Sequence, residues 1–276
     1  MVKIFLLLLL TFSLSFADNN DNLVFSKIKS LVGKRTYSEN EAYIKIVFSP
    51  TYDYVQNDKV DSVKLIAMLK EQGLLNLFFK KPRELNLNFQ TNGAPLFFVK
   101  VMGDTLRNIG YYRYVTKESN LQDSKFTWKI SINSEYATDP IILQRELLKS
   151  GCKIVDVQRN APADWTYIID MKDAYLNTQK LSDGVEVRLK RSLYAYWVNV
   201  SSISKLKIKS SYRNNWYPYI AYYDKSLKLL QVVKRDTKRR AITLNLKEDT
   251  YYIKISDIYT LKNIKDSLIL EPSGER

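Results

Sequence analysis

A chain of 276 residues with no histidine and a single cysteine, Cys152, has a short menu of chemistries. Ser-His-Asp and Cys-His nucleophile pairs, imidazole metal sites, thiolate clusters and internal disulfides are excluded, which leaves carboxylate, lysine or tyrosine mechanisms and stability from packed cores. A formal charge of +14 favours polyanionic partners: phospholipid head groups, lipopolysaccharide, cell-wall polymers or nucleic acid.

The chain opens "MVKIFLLLLLTFSLSFADNNDN". Lys3 is a short positive end, Ile4 to Phe16 is almost wholly apolar, and Ser15-Phe16-Ala17 offers small residues to a signal peptidase. An apolar stretch of about 13 residues is shorter than the roughly 20 that span a bilayer. Residues 1–17 therefore read as a secretory signal of bacterial type, with an exported, periplasmic or secreted chain starting near Asp18. No cysteine at the cleavage site supports lipidation, and export disfavours nucleic acid as the partner. No later segment approaches 18 apolar residues, so the exported chain is expected not to be an integral membrane protein.

Next comes "LVFSKIKSLVG", a helix by its periodicity, then "YIKIVF" (Tyr43 to Phe48), which reads as a strand. "DSVKLIAMLKEQG" (Asp61 to Gly73) has an aspartate N-cap, an apolar pair Leu65/Leu69 and a glycine suited to the left-handed position that ends a helix. The segments "PRELNLNF" (Pro82 to Phe89), "LFFVKVM" and "YYRYV" follow as strand candidates. The pattern then recurs. "FTWKISI" (Phe126 to Ile132) alternates as a strand, and "DPIILQRELLKSG" (Asp139 to Gly151) repeats the cap, the helix length and the glycine, with Pro140 at the first helical position. "CKIVDV", "PADWTYII" (Pro162 to Ile169), "VEVRL" and "YAYWVNV" complete the second copy. Aligning Pro82 with Pro162 aligns Glu84 with Asp164 and Leu85 with Trp165. The fold class that results is α+β, as two related strand–helix–strand–strand–strand modules over residues 18–120 and 121–203.

From residue 204 to 276 short apolar runs alternate with turn-like and charged residues: "KLKIK", "WYPYIAYY", "LKLLQVV", "AITLNL", "TYYIKIS", "SLILEP". These read as an all-β sandwich. It carries 16 Lys/Arg against 8 Asp/Glu, concentrated in "KRDTKRR" between two apolar runs, a hairpin tip or loop. Lys234, Arg235, Lys238, Arg239 and Arg240 are the candidate contacts for an anionic lipid or cell-wall polymer. Trp216, Tyr217 and Tyr219 are candidate aromatic contacts; alternation sends Tyr217 and Tyr219 to one face and Trp216 to the other. An exposed set suits sugar rings or protein partners. Cys152, between a helix-ending glycine and an apolar run, reads as a buried inert thiol.

The second copy, through Gly151, Ile154, Val155, Ala163, Asp164, Trp165, Ile168 and Ile169, resembles the TolB amino-terminal-like domains of the bacterial envelope, relatives of which occur in curli secretion and flagellar ring proteins. In the first copy Glu84 and Leu85 replace the Asp-aromatic pair. The stretch "LNLKEDTYYIKIS" is similar to the closing strands of prepeptidase carboxy-terminal-type sandwiches, with Asp249 and Thr250 in place of the usual turn glycine. The first resemblance implies an assembly role with envelope proteins as partners and no enzyme activity. Together with the composition it leads to an exported, non-catalytic envelope scaffold or tether; the alternative is a module binding an anionic surface or polymer through its basic sandwich. No catalytic, metal-binding or cofactor-binding residue is expected, and no cofactor. As a third reading Glu84 and Asp164 are tempting acids for a glycan hydrolase, but nothing in the sequence brings them to the roughly 5–9.5 Å that paired carboxylates need.

Overall fold

The computed structural model describes residues 20–276; the expected signal at residues 1–17 lies outside the described residues. The chain divides into two compact units, one ending at Ala174 and the other spanning Tyr175–Arg276. The architecture is mixed: an α+β unit, then a β-sandwich.

The first unit begins with helix α1 at residues 20–32, as its periodicity predicts, burying Val24, Ile28 and Leu31. Two short helices follow, α2 (Lys34–Glu39) and α3 (Glu41–Val47), then the small strands β1 (Val55–Gln56) and β2 (Lys59–Val60). Helix α3 replaces the strand expected at Tyr43 to Phe48. A strand would put Ile44, Ile46 and Phe48 on one face, yet Ile44 and Phe48 are fully buried while Ile46 is 76% exposed. Burial at a spacing of four is helical.

Helix α4 (Ser62–Glu71) is capped by the Asp61 carboxylate, which accepts from Lys64 N, and α6 (Pro140–Leu148) by Asp139, which accepts from Ile141 N. Both end alike. Leu74 N donates to Leu69 O and Cys152 N to Leu147 O, with Gly73 and Gly151 at φ +69° and +67°. Helix α5 (Pro95–Asn108) uses the same stop, Tyr111 N to Leu106 O past Gly110. Residues 96–102 in this helix were expected as a strand because they are rich in Phe and Val. Phe97, Phe98, Val101, Met102, Thr105 and Leu106 instead form a buried stripe at helical spacing, and packing overrides propensity. The "YYRYV" strand is displaced too: β4 (Val115–Gln122) starts only at its last residue.

One five-stranded sheet takes the order β4, β5 (Lys125–Tyr136), β3 (Phe78–Thr91), β7 (Asp164–Asp170), β6 (Lys153–Ala161). The two segments aligned as repeats are thus its two parallel neighbours, with Leu87 opposite Trp165 and Phe89 opposite Tyr167. Strands from both sides of residue 120 share one ladder, so the expected division at 120/121 is no division of the fold. Leu85, Leu87, Phe89, Trp128, Trp165 and Tyr167 bury one face of this sheet, and Phe98 of α5 meets Phe126 edge-on.

Lys27 of α1 and Ser62 of α4 both donate to Asp156 of β6. Burial pushes the Asp156 carboxyl up, but these hydrogen bonds and the Lys27 charge outweigh it and hold the group below the ordinary carboxylate value of 3.8. A depressed folded pKa contributes stability that is present above the unfolded value and lost as pH falls through the folded one. Asp156→Asn is expected to cost roughly 1–3 kcal/mol at neutral pH, by leaving the Lys27 ammonium without its counter-charge. Urea titrations at pH 7 and pH 3 would show that gap narrowing in acid; an equal gap at both would refute the assignment.

The second unit starts earlier than the expected boundary at 203/204. Segments placed in the second module, "VEVRL" and "YAYWVNV", supply its β9 (Val187–Leu189) and β10 (Tyr196–Asn199), preceded by β8 (Gln179–Lys180). The further strands are β11 (Ile203–Ser210), β12 (Pro218–Tyr223), β13 (Leu229–Lys234), β14 (Ala241–Asn245), β15 (Tyr252–Asp257) and β16 (Leu268–Glu275). One sheet runs β13-β12-β15-β10-β8 and the other β14-β11-β16-β9. Their facing side chains, among them Val198, Leu206, Ile208, Trp216, Ile220 and Ile255, form one core. Among the described residues no helix is long and apolar enough to cross a membrane.

Candidate functional site

The charge follows the boundary. Residues 175–276 carry 20 Lys/Arg against 10 Asp/Glu, a net +10 of the chain's +14. Of those 20 basic side chains only Arg188, Lys207 and Lys209 have a carboxylate within 4.0 Å among the described residues. The remaining 17 carry unpaired positive charge. In the first unit ion pairs are common, several of them between residues on one helix.

The run Lys234 to Arg240 is not a hairpin tip. It crosses from β13, the edge of one sheet, to β14, the edge of the other. Past Lys234, the last residue of β13, the crossover has no ladder partner, so its backbone is held by neighbouring chain. Arg235 N donates to Pro218 O and Arg239 N to Trp216 O, both at 3.0 Å. The loop therefore lies along the entry to β12. All five basic side chains are exposed. Arg240 also has a structural role, since its guanidinium donates to the Ser211 and Asn214 carbonyls. Lys238 reaches the Asn215 side chain at 2.6 Å, and the Lys234 ammonium lies 5.4 Å from the centre of the Tyr219 ring.

The two sequence candidates thus meet at one place, with one correction. Trp216 is fully buried, its indole N–H donating to Ser256 O at 2.8 Å, and it is part of the core and not of a contact surface. Tyr217 and Tyr219 are half-buried on the opposite, outer face of the sheet, as alternation predicts. The same face carries residues outside the candidate set. Trp197 of β10 stacks against Tyr223 of β12 with ring centres 5.0 Å apart, and Lys254 of β15 stands 5.9 Å from the Trp197 ring. Tyr259 meets Tyr217 edge-on at 5.1 Å. The missed signal was the continuation of the period-two spacing of Tyr217 and Tyr219 to Tyr223; grouping Trp197 with them needs the strand order.

The first unit holds a separate apolar cleft of about 580 Å³, lined by Leu75, Leu77, Phe78, Tyr111, Tyr136 and Ile142. At its rim half-exposed Phe78 and Tyr136 pack at 5.1 Å, and Lys70 pairs with Asp139. Burial raises the Tyr111 hydroxyl, which accepts from Thr138. Glu84 and Asp164 have other partners. Glu84 accepts from Ser131 and pairs with Lys117, and Asp164 accepts from Asn88 and Asn160.

Cys152 is buried, and burial pushes its thiol up to about 12. At pH 8 the native protein is expected to resist a maleimide for hours and to react within minutes in denaturant. Rapid native labelling would show the thiol to be accessible.

No family model matches the chain, and no curated protein matches it. Among solved structures, the chain is similar to the pre-peptidase C-terminal domain of collagenase from Bacillus anthracis, at 13% identity and a TM-score of 0.23, over 35% of this chain and 92% of that one.

Proposed function

We propose that this is an exported, non-catalytic protein of the bacterial envelope, periplasmic or secreted, that holds an anionic polymer or surface through its β-sandwich. The observation that carries this reading is the excess of unpaired positive charge on residues 175–276, with Lys234, Arg235, Lys238, Arg239 and Arg240 together on one exposed crossover. Export rests on the pattern of residues 1–17. Exposed charges act over about 8 Å at physiological ionic strength, so attachment of this kind weakens steeply with salt.

A second reading, scaffolding of other envelope proteins as TolB-like domains do, is favoured by the apolar cleft of the first unit, which suits a protruding apolar side chain of a partner. Affinity capture from crosslinked envelope extract, at low and high salt, separates the two. Recovery of wall polymer or lipid that salt strips away is the expected result. A discrete protein retained at high salt, with no polyanion at low salt, would favour the scaffold instead.

A further inference from the structure

The ligand class follows from the outer face of the β13-β12-β15-β10-β8 sheet. Ile220 and Tyr222 of β12, Ile253 and Ile255 of β15 and Val198 of β10 belong to the core. Side chains alternate along a strand, so Tyr219, Ala221 and Tyr223, Lys254, and Trp197 point the other way. The register then sets them in rows: Lys234 opposite Tyr219 opposite Ser256, and Val232 opposite Ala221 opposite Lys254 opposite Trp197.

The result is a strip. Tyr217 to Tyr223 spans six steps of extended chain, roughly 20 Å. Tyr259 flanks its first ring, Lys234 lies over Tyr219, and Trp197 with Lys254 flanks Tyr223 at the far end. Ala221, between two tyrosines, is fully covered by its neighbours, so the rings and Lys254 form the accessible surface there. The basic crossover runs beside the Tyr217 end through Arg235 and Arg239.

A phosphate polymer or a head-group layer offers charge without apolar ring faces. A neutral glycan offers ring faces without charge. Rings and ammonium groups interleaved at this spacing match a chain that has both. We infer that the strip binds an acidic polysaccharide, its sugar rings lying against Tyr219, Tyr223 and Trp197 and its carboxylates or sulfates meeting Lys234, Lys254 and the crossover arginines. The inference rests on the anion-binding reading and narrows it.

The chain offers its own reporter. Trp128, Trp165 and Trp216 are buried and Trp197 is half-buried on the strip, so a ligand-induced change in tryptophan quenching reports chiefly on Trp197. The purified chain would be titrated with polygalacturonate, polyphosphate, dextran and phosphatidylglycerol vesicles, with acrylamide quenching followed throughout. Polygalacturonate is expected to protect Trp197 and polyphosphate to leave it quenchable. Trp197→Leu and Tyr219→Leu are expected to weaken polygalacturonate binding about tenfold each, without changing polyphosphate binding. Trp197→Phe should retain most of the affinity. Lys254→Gln, on the outer face beside the Trp197 ring and outside the core cluster, should cost about fivefold and guards against loss of fold in the ring variants.

If the ring variants lower both polyanions equally, or dextran binds as well as polygalacturonate, the inference fails while the sandwich remains a binding surface. Tighter binding to vesicles than to polygalacturonate would replace the glycan with a lipid surface. Failure of every anionic probe would remove the anion-binding reading itself.

Discussion

Replacing Trp216 by alanine is expected to remove about 3–5 kcal/mol of stability and to open the β-sandwich. The side chain is fully buried in the sandwich core and its indole N–H satisfies Ser256 O, so truncation leaves both a cavity and an unpaired carbonyl. The consequence reaches the candidate site through the backbone, because Trp216 O accepts from Arg239 N in the basic crossover. Hydrogen exchange would read the effect strand by strand. Amides of β12 and β15 should lose protection in the variant, while those of β3 and β7, in a separate core, keep theirs. A stability change below about 1 kcal/mol would mean that Trp216 does not anchor the sandwich.

Neutralising Lys234, Arg235, Lys238 and Arg239 together to glutamine is expected to weaken binding to an anionic surface by two to three orders of magnitude. The figure follows from about 1 kcal/mol for each basic residue near such a surface, less some loss to screening. Arg240 is best left in place. Its guanidinium holds the Ser211 and Asn214 carbonyls, so replacing it would mix a charge effect with a loosened loop. None of the other four pairs with a carboxylate among the described residues, so their removal leaves no buried charge behind and little change in stability is expected. Circular dichroism and a thermal melt would establish that, and centrifugation with anionic vesicles or polymer would give the affinity. Binding within threefold of the wild type would remove the crossover from the site.

Much of the sandwich was legible because antiparallel strands announce themselves locally. Each of the runs from "KLKIK" to "SLILEP" corresponds to a strand, and alternation separated Trp216 from Tyr217 and Tyr219, though only the packed core shows which of the two faces is inside. The capped helices α4 and α6 were legible for the same reason, since Asp61, Asp139, Gly73 and Gly151 act on their own turns. Failures came where the deciding contact is distant in sequence. Tyr43 to Phe48 and Leu96 to Met102 have the composition of strands, and only the cores they pack into make them helices. The parallel pairing of β3 with β7 joins residues nearly eighty apart, so two sequence copies that looked like separate modules close into one sheet. The resemblance of their helix ends is also less telling than it looked, because α5 ends the same way past Gly110. At the candidate site, Trp197 lies in a segment assigned to another module. It joins Tyr223 and Lys254 only once β10 is placed beside β15.

The most direct test of the central claim is the dissociation constant of the purified chain for a polyanion such as polygalacturonate, measured from low to high salt. Attachment by unpaired exposed charge predicts a steep, log-linear loss of affinity as salt rises, and a shallower slope in the four-residue variant. Affinity that is unchanged across that range, or a slope unaltered in the variant, would contradict the account.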